Sequence, residues 1–269
     1  MAEQLKVEKY WVLVLQEQPS LLVVLKVGVN GKAKGSAYVE AGNTKVITAI
    51  YGPREILRRQ DFRMKGILYC EVKIANFATQ MRAEGNKEAR EQELSAVLRH
   101  SLEPVVCLHL YPKSQIDVYV HVLEDDGSCL ATLITCAGLA LCDAAIQTYD
   151  LIVGMGLVSF FHLLYCLCES MLDNRYIGGN IYMDPTHDEE KESASSGENG
   201  SVIIGLMPSV QQLATIFQYG DVSAQSVTKA CKELMSMCQE VTPVLQECLL
   251  NACPNSPIAE AEHDDQPDL

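Results

Sequence analysis

The sequence predicts an α+β fold in which sheet layers pack against helices. Three observations carry that prediction. Short β-rich runs separated by turn residues open the readable part of the chain. Three segments then adopt a helical period, and one of them is apolar nearly all round. The resulting order is strands, helix, strand, helix, strands, helix, with no internal repeat.

The first thirty residues are the hardest to assign. Trp11 to Leu15 and Leu21 to Val29 have strand composition, but no clear turn chemistry lies between them. Gly35 to Ala41 and Lys45 to Tyr51 are β-rich, and Gly42-Asn43 makes the turn of a hairpin. Ile67 to Ala75 is a further strand. From Arg90 to Leu102 the period becomes helical, with Leu94, Val97, Leu98 and Leu102 on one face and Pro104 near the end.

Gln115 to Val122 alternates strictly. Ile116, Val118, Val120 and Val122 form a core face, and Asp117, Tyr119 and His121 form a polar face. Glu124-Asp125-Asp126-Gly127 is a tight polar turn. Ser128 to Gln147 is the all-round apolar helix, and Leu151 to Val158 reads as a buried strand. Val202 to Met207 and Leu213 to Tyr219 make a hairpin around Pro208 and Ser209. Ser223 is expected to cap a helix that runs to Ala252, with a kink at Pro243. Its core stripe is Val227, Cys231, Leu234, Cys238, Val241, Leu245 and Leu249. The charged stretch Asp188 to Ser201 reads as a mobile loop, and the acidic tail 254–269 as disordered.

Composition excludes several function classes. The chain has 269 residues, with 35 acidic against 21 basic side chains and a formal net charge of -14. A protein that holds nucleic acid by bulk charge would be basic, so any such contact needs a local patch or a partner. Five of the eleven cysteines, Cys136, Cys142, Cys231, Cys238 and Cys248, lie inside apolar helical patterns. There they act as small hydrophobes. With Glu3, Lys6, Glu8 and Lys9 ahead of any apolar run, no secretory signal is read, and a reducing compartment is expected. Cysteine and histidine spacings do not suit zinc, and no metal or cofactor is expected.

Several segments, in the right order, resemble the RNase PH family. Ala33 to Val46 resembles its N-terminal hairpin, and Tyr51-Gly52-Pro53 the turn that follows. Tyr111 to Val118 resembles the strand before its phosphate loop. Leu139 to Leu141, Asp143, Ala144, Tyr149-Asp150-Leu151 and Leu206-Met207-Pro208 continue the series. The likeness covers roughly 32–158 and 183–252. Leu123 to Ser128, Met183 to Thr186 and Thr242 to Gln246 are similar to a ring subunit of the eukaryotic RNA exosome.

The resemblance implies an RNase PH fold with a βαβα core, spanning 31–253 after an atypical segment 1–30. It implies obligate partners, namely other RNase PH-like exosome ring subunits, with RNA-binding cap subunits above the ring. RNA would pass through the shared channel, and the protein would work in nucleus, nucleolus and cytoplasm. It also implies a chemistry to look for: phosphorolysis, in which inorganic phosphate attacks the terminal phosphodiester of RNA. Such a site needs cations and backbone N–H groups to offset clustered negative charge.

That chemistry looks half dismantled here, with backbone and hydroxyl donors and the positive end of the helix dipole remaining. Active members carry Gly-Ser/Thr-Arg at the phosphate loop, where this chain has Gly127, Ser128 and Cys129. A thiol cannot offer a bidentate fork to phosphate. An acidic pair six residues apart becomes Asp184 and Glu190, whose longer arm displaces the second carboxylate. Arg90 matches a family arginine, but Ala89 stands beside it. The expectation is a non-catalytic ring subunit, with a phosphate-dependent 3'-to-5' exoribonuclease as the alternative.

Each candidate also has a plainer reading. Arg82, Lys87 and Arg90 are RNA contacts or a solvated helix start, with Arg90 paired to Glu91 or Glu93. Asp184 before Pro185 suits a turn, Ser128 suits an ordinary helix cap, and His121 suits an exposed or interface position. Arg54, Arg58, Arg59, Arg63 and Lys65 face RNA or an acidic partner, or form a solvated loop. The segment 159–182 reads as an insertion. With Leu151 onward its apolar run reaches eighteen residues, the minimum for a membrane helix. The strand reading of Leu151 to Val158 and the lack of a basic flank argue against a span.

Overall fold

A computed structural model describes residues 3–7, 10–14, 22–55, 65–78, 87–159, 182–183, 200–220 and 224–252. Seven strands form the larger sheet: β1 (Glu3–Val7), β2 (Tyr10–Val14), β3 (Leu22–Val27), β4 (Gly35–Ala41), β5 (Thr44–Glu55), β6 (Ile67–Ile74) and β7 (Ser114–Glu124). Their order is β1-β2-β3-β4-β5-β7-β6. Neighbours are antiparallel except β6 and β7, which run parallel. A parallel pair needs a crossover. Here α1 (Lys87–Leu102) supplies it, packing back on β6.

The smaller sheet holds β8 (Val153–Ser159), β9 (Tyr182–Met183), β10 (Gly200–Met207) and β11 (Gln212–Gly220), in the order β11-β10-β8-β9. Two further helices complete the fold: α2 (Cys129–Asp143) and α3 (Ala224–Ala252). All of Cys129 to Leu141 is buried. α2 has β4 and β5 of the larger sheet on one side and β8 of the smaller on another, with α1 and α3 also against it. A helix in that position can expose no polar face, which is why its sequence has none. Gly154 brings β8 against it: a Cβ there would lie 2.4 Å from the Ala131 carbonyl oxygen.

Several sequence expectations need correction. The N-terminal region holds a strand, β1, that carries no strand signal of its own; β1, β2 and β3 form a meander on the sheet edge. α2 ends at Asp143 rather than Gln147, because Ala145 turns to a φ of 51°. Asp117 does not sit on an exposed polar face; it is 0% exposed. In the register it lies between Tyr51 of β5 and Tyr69 of β6. The Tyr119 ring stands 5.9 Å from that of Tyr51 and 6.3 Å from that of Tyr69, so three rings gather on the sheet face that Asp117 shares. Gln115 Nε2 donates to Asp117 Oδ1 at 2.6 Å, and Arg54 forms an ion pair with Oδ2. Arg54 therefore belongs to β5 and not to a solvated loop; Arg58, Arg59 and Arg63 lie outside the described residues. The helical assignment of α3 continues through Pro243. Ser223, 160–181, 184–199 and the tail lie outside the described residues. Among the described residues, no helix is long and apolar enough to cross a membrane.

All eight described cysteines are free thiols. Burial pushes the Cys136 thiol up to about 12, even though Thr48 Oγ1 donates to its sulfur at 3.2 Å. Cys70 and Cys238 are likewise pushed by burial to about 12. These groups serve packing and not reactivity.

Glu91 is a second charged group built into the fold. It is 6% exposed. Its carboxylate accepts the Ile74 N–H at 3.0 Å and the Lys73 ammonium at 3.1 Å. Burial alone would raise its pKa, but these donors and Lys87 outweigh burial and hold it below the ordinary glutamate value of 4.5. A lowered folded pKa stabilises the fold above the unfolded value, and that stability is lost as pH falls through the folded one. Glu91→Gln should therefore cost about 1.5–3 kcal/mol at neutral pH, the range for charged hydrogen bonds. It should also flatten the decline in stability below pH 4.5. Melting curves of both proteins from pH 7 to pH 3 test this; parallel curves would refute it.

Candidate functional site

The phosphate-loop candidates sit where β7 turns into α2. Gly127 takes a φ of 110°, which glycine adopts without strain. Ser128 follows at φ 48° and ψ 24°, in the left-handed region. It is 4% exposed, and its hydroxyl makes no capping bond to the helix, contrary to the ordinary N-cap expectation. A left-handed backbone turns that hydroxyl away from the N–H groups it would cap. Instead its oxygen lies toward β8, 2.8 Å from where a Cβ on Gly156 would be.

A second turn clasps this one. Thr44, at the start of β5, donates through Oγ1 to the Gly127 carbonyl at 2.8 Å and accepts the Asp126 N–H at 3.2 Å. Asn43 Nδ2 donates to Asp126 Oδ2 at 2.7 Å. Lys45 pairs with Glu124 at 2.7 Å. Sequence reading assigned Asn43 only to a hairpin turn. Its role in holding the acidic turn leaves no local signal, because the two segments are 83 residues apart in sequence.

Asp125 decides the electrostatics. Its side chain is 3% exposed. Oδ2 accepts from Arg90 Nη2 at 2.9 Å, and Oδ1 takes the Gly127 N–H at a long 3.5 Å. A phosphate at this helix start would need those same two kinds of donor, a guanidinium and loop N–H groups. The chain's own carboxylate draws on both, neutralising the Arg90 guanidinium through one of its donors and holding the Gly127 N–H at long range. Arg90 thus pairs with Asp125, not with Glu91 or Glu93 as expected from sequence. Cys129 is 6% exposed and faces the core instead of a ligand.

The other candidates are dispersed. Lys87 bonds Asn76 Oδ1 and pairs with Glu91 at 3.8 Å, so it serves the junction of α1 and β6. Arg82, Asp184 and Glu190 lie outside the described residues. His121 is exposed. Only Arg90, Gly127, Ser128 and Cys129 of the candidates are placed in one neighbourhood, with Asp125 and Asn43 as members that sequence reasoning missed as contacts. Among the described residues, no group of acidic, cysteine and histidine side chains is placed to hold a metal ion.

Residues 22–147 match RNase PH, the 3' exoribonuclease family, domain 1. A Homo sapiens protein named exosome complex component MTR3 is 34% identical over 243 residues, covering 86% of this chain and 82% of that protein. An Arabidopsis thaliana protein named exosome complex component RRP41-like is 32% identical over 226 residues, covering 84% of this chain and 78% of that protein. The crystal structure of rice (Oryza sativa) Rrp46 superimposes with a TM-score of 0.68 at 19% identity, over 84% of this chain and 93% of that one, which is a likeness of fold. By sequence along most of its length and by architecture, the chain belongs to the RNase PH family.

Proposed function

We propose that this chain is a non-catalytic, structural subunit of an RNA exosome ring. It would support 3'-to-5' RNA processing and decay, including rRNA maturation and mRNA turnover, without cleaving RNA itself. The names of its relatives support the assembly. One observation carries the loss of activity: Asp125 takes the Arg90 guanidinium and the Gly127 N–H. With Cys129 in place of an arginine and the Arg90 charge neutralised by Asp125, the loop has less positive charge to offset an incoming phosphate.

In this reading the partners are other RNase PH-like ring subunits, held as an obligate hetero-oligomer, together with RNA-binding cap subunits. Arg82, Lys87 and Arg90 are the candidates for touching RNA phosphates in the shared channel. The protein acts in nucleus, nucleolus and cytoplasm. The test is co-expression with the other ring subunits, followed by light scattering on the eluted particle and a nuclease assay with and without inorganic phosphate. A ring-sized particle is expected to contain the chain. The isolated chain should release no nucleoside diphosphate from an RNA tail when phosphate is added. Phosphate-dependent release by the isolated chain would overturn the non-catalytic assignment, and exclusion from the particle would overturn the ring assignment.

A further inference from the structure

We infer that Asn30 is a self-modifying site: its side-chain amide is lost through a cyclic imide closed by the Gly31 nitrogen, leaving aspartate or isoaspartate in the turn between β3 and β4. The inference goes beyond the ring-subunit reading and does not depend on it. The sequence holds two Asn-Gly pairs, Asn30-Gly31 and Asn199-Gly200, and Asn199 lies outside the described residues.

The Lys32 N–H donates to Asn30 Oδ1 at 3.1 Å, which folds the side chain forward along the backbone as in an Asx turn. Closing Cγ on the next nitrogen, that of Gly31, makes a five-membered ring. The same Lys32 N–H stabilises the negative charge that grows on Oδ1 during the attack. The base of the turn is held by Ser36, which is 0% exposed. Its Oγ accepts the Asn30 N–H at 2.7 Å and its carbonyl accepts the Gly28 N–H at 2.8 Å. Among the described residues, no acceptor takes the Gly31 N–H, so no hydrogen bond opposes loss of its proton. A Cβ on Gly31 would meet nothing within 4 Å, which leaves room for the ring. Lys32 and Lys34, both exposed, add positive charge that favours the anionic intermediate. Asn43 and Asn76 differ on each count. Asn43 Nδ2 is bound to Asp126, Asn76 Oδ1 takes the Lys87 ammonium, and the bulkier Thr44 and Phe77 follow them.

The reaction needs only water. Hydroxide removes the Gly31 amide proton, the nitrogen attacks Asn30 Cγ, the N–Cγ bond forms and the Cγ–Nδ2 bond breaks. The leaving nitrogen takes a proton from water and departs as ammonia. A second water opens the imide. Opening at Cγ gives aspartate, and opening at the main-chain carbonyl gives isoaspartate, which adds one carbon to the backbone between β3 and β4. Nothing is oxidised or reduced. Each converted chain gains a negative charge beside Lys32 and Lys34.

Peptide mapping by mass spectrometry, on the full-length chain held at neutral and mildly alkaline pH, tests this. The peptide holding Asn30 should gain the mass of an amide-to-acid exchange and split into two chromatographic forms, at a rate that rises in proportion to hydroxide. Peptides holding Asn43 and Asn76 should convert about tenfold more slowly or less, because their side chains are held out of line. Gly31→Ala should slow conversion about tenfold with an unchanged melting temperature, since a methyl group obstructs ring closure. The rate at Asn30 in the folded chain should lie within about threefold of the rate in the same chain denatured in guanidinium, as expected of a site that needs no opening of the fold. A folded rate more than about tenfold below the denatured one would show that the turn protects Asn30 and would overturn the inference. Equal conversion at Asn43 or Asn76 would overturn it too. If Gly31→Ala does not fold, the comparison of folded with denatured chain decides alone.

Discussion

Truncating Leu133 to Ala should lower the unfolding free energy by about 2–5 kcal/mol, the cost of removing a leucine from a site that cannot collapse. Leu133 is 0% exposed at the middle of α2. Its neighbours Ile134, Cys136 and Ala137 are also 0% exposed, so the helix has no solvent side toward which it can shift to fill the void. Close approaches such as that of Gly154 to the Ala131 carbonyl further restrict relaxation. Urea unfolding monitored by circular dichroism gives the answer, with an unchanged slope expected. A loss below about 1 kcal/mol would mean that the cavity closes and that the packing around α2 is looser than described.

The second large effect comes from a charge. Arg54→Met should cost about 2–3 kcal/mol, because it strands the Asp117 carboxylate away from water. Asp117 is fully buried, while the Arg54 side chain is 59% exposed. Solvent screening of the arginine places the expectation below the full cost of breaking a buried pair. Adding Asp117→Asn should recover most of the loss, since a neutral amide needs no cation. The double-mutant cycle separates this from lost packing: a double variant no more stable than Arg54→Met would show that the arginine's stem, and not its charge, was the contribution.

Much of the fold was legible because it rests on local periodicity. The two-residue alternation of Ile116, Val118, Val120 and Val122 and the all-apolar α2 each report their surroundings directly. Asp117 broke the alternation rule because its burial depends on tyrosines from two other strands. β1 was missed because an edge strand with alternating charge and apolar residues carries little signal of its own. At the candidate site, the residue types were readable and the pairings were not. Cys129 announced the missing arginine. The capture of Arg90 by Asp125 joins residues 35 apart in sequence and needed coordinates.

The position of α2 bears on how the chain can be divided. The family match ends at residue 147, just past this helix, as if a first domain closed there. Yet α2 is walled on its other sides by β8 and α3, which come later in the chain. A fragment stopping at 147 would expose leucines and cysteines that nothing in it can cover. During synthesis the same is true of the nascent chain, which must shelter α2 until the last helix is made. The two halves of the sequence thus share a single interior and are expected to unfold in one cooperative step, with neither able to serve as a free-standing module.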